Sequence, residues 1–168
     1  LKLAALAGNP QDQLRFIHVA GTNGKGSTCA MLEGIYRAAG LRVGLFTSPH
    51  LVAFGERIQI NRRVLSERNI ARLVAEMRSW LEKGWGAHGP GAGEDAGHHE
   101  PRTGHQAGVE HPTFFEVVTV MALRHFAEQR CDLVIWETGL GGRLDATNIV
   151  TPLLSVITNI QHDHQLWL

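Results

Sequence analysis

The stretch that decides the fold is His18-Val19-Ala20-Gly21-Thr22-Asn23-Gly24-Lys25-Gly26-Ser27-Thr28, which is rich in glycine and places one lysine between two glycines. An apolar run at 16–19 precedes it and predicts a short strand. Apolar residues at helical spacing over 27–39 follow it and predict a helix that ends before Gly40. A glycine-rich turn between a strand and a helix is the setting of a phosphate-binding loop.

Each residue type in this loop has a chemical reason. Glycines let backbone N–H groups curve around phosphate oxygens, and the N-terminus of the helix adds its positive dipole end. Lys25 supplies a mobile positive charge for the β and γ phosphates, and Ser27 or Thr28 can cap the helix and offer a hydroxyl group. A plain glycine turn with a serine cap is the alternative, but it leaves the lysine unexplained. We expect the nucleotide to be bound by Thr22, Asn23, Gly24, Lys25, Gly26 and Ser27.

Strand and helix patterns alternate along the rest of the chain. Strands are predicted at 43–46, 133–136 and 154–158, with a shorter strand or ribbon at 57–61. Helices are predicted at 66–83 and 114–129. Alternation of this kind predicts an α/β fold, in which a largely parallel sheet is flanked by helices.

Composition narrows the class of protein. A chain of 168 residues, of which 43% are hydrophobic, is long enough for one compact domain. The 16 basic residues balance the 16 acidic ones, which argues against a nucleic-acid partner. No apolar run reaches the length of a membrane span, and the two cysteines are too few for a disulfide framework, which favours a reducing compartment. Because the chain begins at Leu1 and stops at Leu168 just after a strand-like run, we expect a piece of a longer protein.

One segment, 84–109, differs from the rest in composition. It contains 8 of the 19 glycines and almost no large aliphatic residues, so that it cannot bury enough apolar surface to offset its ordering entropy. Its four histidines show no regular ligand spacing, which favours solvated low complexity over a metal-binding tract. The sequence therefore predicts a disordered surface insertion at 84–109.

The loop resembles that of the Mur ligase superfamily, in the branch that uses folates, because Gly26 and Ser27 follow the lysine where the general P-loop pattern has Ser or Thr directly. Further segments are similar to the same branch. They are Thr47-Ser48-Pro49-His50-Leu51 with Glu56-Arg57-Ile58, Thr113-Phe114-Phe115-Glu116, Glu137-Thr138-Gly139-Leu140-Gly141-Gly142-Arg143-Leu144-Asp145-Ala146-Thr147-Asn148, and the ending Asn159-Ile160-Gln161-His162-Asp163-His164-Gln165-Leu166-Trp167-Leu168. The chain resembles part of the P-loop NTPase-like central, ATP-binding domain of the dihydrofolate synthase/folylpolyglutamate synthase family.

The resemblance implies a reaction and a set of residues. ATP would phosphorylate a carboxylate of dihydropteroate or of the last glutamate of a folate, and the amine of L-glutamate would displace phosphate to form an amide. The resemblance implies Mg²⁺ ligation by Ser48, Glu137 and His164, and catalytic roles for Lys25, Glu137 and His164. It implies substrate contacts from Thr113, Phe114, Phe115, Glu116, Leu144, Asp145 and Ala146. It further implies a cytoplasmic enzyme, monomeric when complete, whose C-terminal ligase domain is absent from this chain.

Several residues have structural alternatives. Ser48 suits a turn before Pro49, Glu137 suits a strand end that faces water, and Phe114 and Phe115 suit core packing. Arg143 and Asp145 could form a surface ion pair, and His50 and Arg57 are candidates for contact with an anionic substrate. Two other functions stay open. One is a cell-wall Mur ligase. Three features argue against it: Gly26, the Ser-Pro-His loop and the Gly-Leu-Gly-Gly-Arg-Leu-Asp signature. The other is a nucleotide-binding module without ligase activity.

Overall fold

A six-stranded sheet forms the centre of the computed structural model, which describes residues 2–86 and 111–161. The strands are β1 (Phe16–Ala20), β2 (Val43–Phe46), β3 (Ile58–Ile60), β4 (Arg63–Val64), β5 (Leu133–Glu137) and β6 (Leu154–Ile157). Their order across the sheet is β4-β3-β2-β5-β1-β6. The strands β2, β5, β1 and β6 are parallel, and β3 and β4 add an antiparallel edge. The prediction of a largely parallel sheet is confirmed.

Helices cover both faces of this sheet. They are α1 (Lys2–Leu6), α2 (Lys25–Ala38), α3 (Glu67–Trp85) and α4 (Phe114–Glu128), with short 3-10 helices at Pro10–Gln13, Phe54–Arg57 and Ala146–Ile149. One buried cluster joins α1, α3 and α4 to one face of the sheet, and a second joins α2 to the other face. Alternate strand residues point to opposite faces, so Phe16 and Trp136 belong to the first cluster and Ile17 and Ile135 to the second.

Aromatic side chains fill the larger of the two clusters. Trp136 stacks on Phe46 with ring centroids 4.4 Å apart, and Phe16 meets Trp136 edge-on at 5.6 Å. Gly44 lies in β2 beneath Phe126, where a Cβ atom would stand 2.9 Å from the phenylalanine ring. The absence of a side chain at position 44 therefore lets α4 lie close to the sheet.

The ends of two helices differ from the sequence-based expectation. The helix α2 begins at Lys25, and its N-cap is Gly24, which provides no side-chain cap, so the prediction that Ser27 or Thr28 caps this helix is wrong. The helix α3 continues to Trp85, and the first two residues of the predicted insertion belong to it. Gly86 is the C-cap of α3, and the rest of that prediction, from residue 87 to 109, lies outside the described residues.

Two further sequence-based expectations concern cysteines and membranes. Cys29 and Cys131 are both buried and both free. Within residues 2–86 and 111–161, no helix combines the length and the apolar character that crossing a bilayer requires.

Candidate functional site

Four parallel strands end at the same edge of the sheet, and the segments that follow them meet there. Gly21 follows β1, Thr47 and Ser48 follow β2, Thr138 follows β5, and Thr158 follows β6. Ligands of open α/β sheets bind outside the carboxyl ends of the strands, so this edge is where a site is expected.

The loop after β1 is fixed by the segment after β6. The amide N–H of Thr22 donates to the carbonyl oxygen of Asn159 at 3.0 Å, and that of Asn23 donates to Asn159 Oδ1 at 2.8 Å. The hydroxyl of Thr158 donates to the carbonyl of Asn23 at 2.7 Å. Gly21 has φ +133°, and a Cβ atom on it would stand 2.1 Å from Thr158 Oγ1. Only glycine fits at this crossing of the two segments.

Lys25 and the start of α2 give the loop its positive character. The Nζ atom of Lys25 donates to the carbonyl oxygens of Gly21 at 2.8 Å and Thr22 at 3.2 Å, so the ammonium group lies over the loop. No side chain caps the first turn of α2, which leaves its N–H groups and the positive end of the helix dipole facing the loop. All six residues predicted to bind nucleotide, 22–27, lie in this loop and the first turn of α2.

Glu137 lies between the phosphate loop and the turn after β2. Glu137 is 4% exposed, and its Oε2 atom accepts a hydrogen bond from the backbone N–H of Ser48 at 3.0 Å. A Cβ atom on Gly26 would stand 3.8 Å from Glu137 Oε1. Burial raises the pKa of Glu137, while the N–H of Ser48 and the charge of Lys25 act in the opposite direction. Two of the three predicted metal ligands, Ser48 and Glu137, therefore come together, and the third, His164, lies outside the described residues.

Six of the seven residues predicted to contact the pterin or folate line one open cleft beside this edge. The six are Thr113, Phe115, Glu116, Leu144, Asp145 and Ala146. Phe114 is the exception, because its side chain is 66% exposed and its ring meets that of Phe54 edge-on at 6.4 Å. Phe115 instead turns inward, with its ring 6.0 Å from that of Phe46.

Asp145 shapes the loop between β5 and the cleft. Its Oδ2 atom accepts the N–H of Leu140 at 2.8 Å, and its Oδ1 atom accepts both the N–H of Thr147 at 2.9 Å and the Thr147 hydroxyl. The surface ion pair considered for Arg143 and Asp145 is not among those formed by the described residues. A Cβ atom on Gly139 would stand 2.8 Å from Asp145 Oδ2, so the glycine at this position allows the close approach.

His18 connects β1 to the same loop. Its Nε2 atom lies 2.9 Å from Thr138 Oγ1 and 3.1 Å from Thr147 Oγ1, both within hydrogen-bonding distance. Burial lowers the pKa of His18, and the negative charge of Asp145 only partly opposes this. The imidazole is therefore neutral near pH 7, and its Nε2 atom lies close to two hydroxyl groups.

The cleft and the phosphate loop share a wall. Leu140 and Gly141 line the cleft, and they also line a cavity that runs along Gly21, Thr22 and Lys25. A phosphate group on the loop and a planar ligand in the cleft would consequently lie on the two sides of one short segment.

The turn after β2 is organised by Glu56. Its carboxylate accepts the backbone N–H groups of Leu51, Val52 and Ala53 at 2.8 to 3.1 Å, and these bonds lower its pKa. Arg57 Nε donates to His50 Nδ1 at 2.7 Å. His50 and Arg57 thus bind each other, and their proposed contact with an anionic substrate stays a prediction.

Sequence reasoning missed several residues of this edge. The sequence places Asn159 and Gln161 in the closing motif without indicating a contact, yet both bind the phosphate loop. The convergence of parallel strand ends was the available signal, since Asn159 directly follows a predicted strand. Thr113 and Glu116 form a capping box at the start of α4, and the spacing Thr-x-x-Glu before an apolar run is its sequence signature.

No family model matches the chain, but comparisons with known proteins find relatives in sequence and in fold. The dihydrofolate synthase/folylpolyglutamate synthase of Bacillus subtilis is 42% identical over 97% of this chain and 34% of its own length. A solved FPGS–AMPPCP–folate complex has a TM-score of 0.82 at 36% identity and covers 98% of this chain and 35% of that one. The Escherichia coli FolC protein in complex with ADP has a TM-score of 0.78 at 36% identity and covers 99% of this chain and 35% of that one. The chain spans about a third of the length of these relatives. In sequence and in fold, it is similar to about a third of the length of proteins of the dihydrofolate synthase/folylpolyglutamate synthase family.

Proposed function

We propose that this protein is an ATP-dependent amide ligase that joins L-glutamate to dihydropteroate or to the terminal glutamate of a folate. The observation that carries the proposal is the wall of Leu140 and Gly141, which separates the phosphate loop from the cleft. A ligase of this type must bring the γ phosphate of ATP to a carboxylate of a second substrate, and two adjoining sites provide that arrangement.

The relatives support the substrate classes. One solved relative binds AMPPCP together with folate, and another binds ADP. Over nearly the whole of this chain, both are more than 30% identical to it. We therefore propose ATP for the phosphate loop and the pteroyl group for the cleft.

The phosphate loop would neutralise the triphosphate. Lys25 lies with its ammonium group on the carbonyl oxygens of Gly21 and Thr22, from which it can turn to a phosphate oxygen. The uncapped first turn of α2 adds backbone donors. Phosphoryl transfer depends mainly on positioning and on charge stabilisation, and both come from these groups.

Ser48 and Glu137 have the chemistry of Mg²⁺ ligands, which are oxygen atoms of carboxylates and hydroxyl groups. A buried carboxylate with a raised pKa gains from a nearby cation, so Glu137 fits this role. We propose that Ser48, Glu137 and His164 hold Mg²⁺. The bound ion would supply positive charge to the phosphate oxygens.

The reaction would then follow in two displacements. A carboxylate oxygen of the pteroyl substrate attacks the γ phosphorus, ADP leaves, and an acyl phosphate forms. The amine nitrogen of L-glutamate attacks the acyl carbon, inorganic phosphate leaves, and the nitrogen loses a proton to give the amide. In this scheme Phe115 offers a ring surface to the pterin, and Leu144 closes the outer side of the cleft.

Nucleotide binding to the 168-residue chain tests the assignment of the phosphate loop. The chain spans about a third of the length of its relatives. Calorimetric titration with AMPPCP and Mg²⁺ should give saturable binding that weakens at least about tenfold in Lys25→Ala. It should be unchanged in Arg78→Ala, a matched loss of positive charge on an exposed face of α3. Equal affinity in the two variants would show that the nucleotide lies elsewhere.

A second titration distinguishes the candidate substrates. The proposal requires dihydropteroate or folate to bind, and Leu144→Asp to weaken this binding without changing the affinity for AMPPCP, because Leu144 lines only the cleft. Binding of a UDP-linked peptide with no binding of either pteroyl compound would instead identify a cell-wall ligase. We also propose a monomeric protein of the cytoplasm, which size-exclusion chromatography and cell fractionation can examine.

A further inference from the structure

A second polar cleft lies at the opposite edge of the sheet, where the parallel strands begin. We name it the amino-edge cleft. Its basic and polar side chains include those of Arg37, Arg42, Arg63, Ser66, Asn69 and His125. Arg42 precedes β2 and Ser48 follows it, and six residues of extended strand place the two about 20 Å apart. The amino-edge cleft is thus separate from the phosphate loop.

Positive charge dominates this cleft. Three arginines line it, and no carboxylate does so within the described ranges. Arg37 pairs with Glu33, while Arg42 donates to the side chain of Gln129 at 2.8 Å. Arg63 forms no ion pair with any residue that the structure describes.

The nearest carboxylates are already bound to other groups. Asp132 accepts the backbone N–H of Arg42 at 2.7 Å. Glu128 pairs with Arg72 and Arg124, and Glu33 pairs with Arg62 in addition to Arg37. The exposed Glu67 lies in the first turn of α3 but does not line the cleft. The guanidinium groups of Arg42 and Arg63 therefore keep their charge available.

A buried histidine supplies a second, independent sign of a ligand. His125 is 6% exposed and lines the cleft from the last turn of α4. Its Nδ1 atom is buried and has no hydrogen-bond partner among the described residues. Buried polar atoms are nearly always hydrogen-bonded, so an orphaned nitrogen beside arginines points to a group that completes the bond.

The start of α3 adds to the same field. Ser66 is the N-cap of this 19-residue helix, and its hydroxyl accepts the N–H of Asn69 at 3.4 Å. The positive end of the helix dipole therefore faces the amino-edge cleft, along with one hydroxyl and one side-chain amide.

We propose that the amino-edge cleft binds a compact oxyanion of the phosphate type, either inorganic phosphate or the phosphate group of a small metabolite. Arginine forks on several sides match tetrahedral phosphate oxygens, and His125 Nδ1–H would donate to one of them. The site does not depend on the proposed ligase reaction, because none of its residues belongs to the phosphate loop or to the pteroyl cleft.

An NMR titration with inorganic phosphate tests this site in the Lys25→Ala chain, in which the phosphate loop is weakened. We expect saturable shifts of the amide signal of Asn69 and the ring signals of His125. Arg63→Gln should weaken the affinity by about tenfold, because an exposed arginine is removed without disturbing packing. Arg78→Gln, on the other end of α3, is the matched control and should leave the affinity unchanged.

Three results would overturn the proposal. They are shifts that do not saturate, equal affinity in the Arg63→Gln and Arg78→Gln chains, and saturable shifts confined to the phosphate loop. Parallel titration with glycerol 3-phosphate separates the two sources of the oxyanion. Tighter binding of the ester than of inorganic phosphate would indicate a metabolite, and the reverse would indicate the free ion.

Discussion

Replacing Gly21 with alanine is expected to lower the free energy of unfolding by about 2 to 4 kcal/mol, as the sum of two effects. The backbone at this position has φ +133°, where an L side chain is strained by about 1 to 3 kcal/mol. The new methyl group would also stand 2.1 Å from Thr158 Oγ1. Moving that hydroxyl breaks its 2.7 Å hydrogen bond to the carbonyl of Asn23, which is worth about 1 kcal/mol.

Gly24 provides the matched control. It also has a positive φ, +81°, but a Cβ atom there would meet nothing within 4 Å. Gly24→Ala should therefore show backbone strain alone, about 1 to 2 kcal/mol. The difference between the two alanine variants isolates the collision with Thr158.

Urea unfolding followed by tryptophan fluorescence measures both variants, and the free energies are compared by linear extrapolation. In the double variant Gly21→Ala with Thr158→Ala, the obstructing hydroxyl is gone. The double variant should therefore lose less unfolding free energy than the sum of the losses in the two single variants. The reasoning is refuted if Gly21→Ala and Gly24→Ala cost the same, or if the double variant shows simple additivity.

Three further predictions concern the residues around the site. Thr113→Ala should lower the free energy of unfolding by about 1 kcal/mol in thermal melts, because it removes the capping box of α4. Thr151→Ala, at an exposed position outside the helices and strands, is the matched control. Asp145→Asn should weaken folate binding in calorimetry, since an amide cannot accept from both Leu140 and Thr147 as the carboxylate does, and unchanged affinity would contradict this. Because the pKa of His18 lies below its ordinary 6.5 in the folded chain, the unfolded chain binds more protons at this residue between the two values. The contribution of His18 to stability should therefore rise with pH up to about 6.5. In His18→Gln the rise of stability with pH should be smaller but still present, since burial also lowers the pKa of His125. The measurement is the urea midpoint as a function of pH. An unchanged slope of that midpoint against pH would contradict the role of His18.

The strands were the most predictable part of the fold. Val43–Phe46 was predicted with the bounds that the structure shows, because a short apolar run between a charged residue and a polar turn has few alternatives. The segment Arg63–Val64 was not predicted, since two residues carry no periodicity. Its pairing with β3 arises from the turn at Asn61 and Arg62, both of which have positive φ.

The site was predictable in its parts but not in its contacts. The residue types of the phosphate loop follow from local chemistry, and so does the position of Glu137 at the end of a strand. The hydrogen bonds from Asn159 to Thr22 and Asn23 depend on β6 lying beside β1, which is a property of the strand order. The amino-edge cleft could not be predicted from the sequence for the same reason. Its arginines come from α2, from the residue before β2 and from β4, and the fold brings them together.

Two neighbouring residues of the loop beside the cleft, Leu144 and Asp145, have different roles. Both carboxylate oxygens of Asp145 accept hydrogen bonds within the loop, so a substrate reaching them would have to compete with Leu140 and Thr147. Leu144, one position earlier, is 88% exposed and lines the cleft. We therefore expect Asp145 to act by shaping the loop and Leu144 to act by contact. On this basis Leu144→Ala should change the affinity for the pteroyl group alone, whereas Asp145→Asn should also weaken nucleotide binding, because the Leu140 segment that Asp145 positions lines both sites.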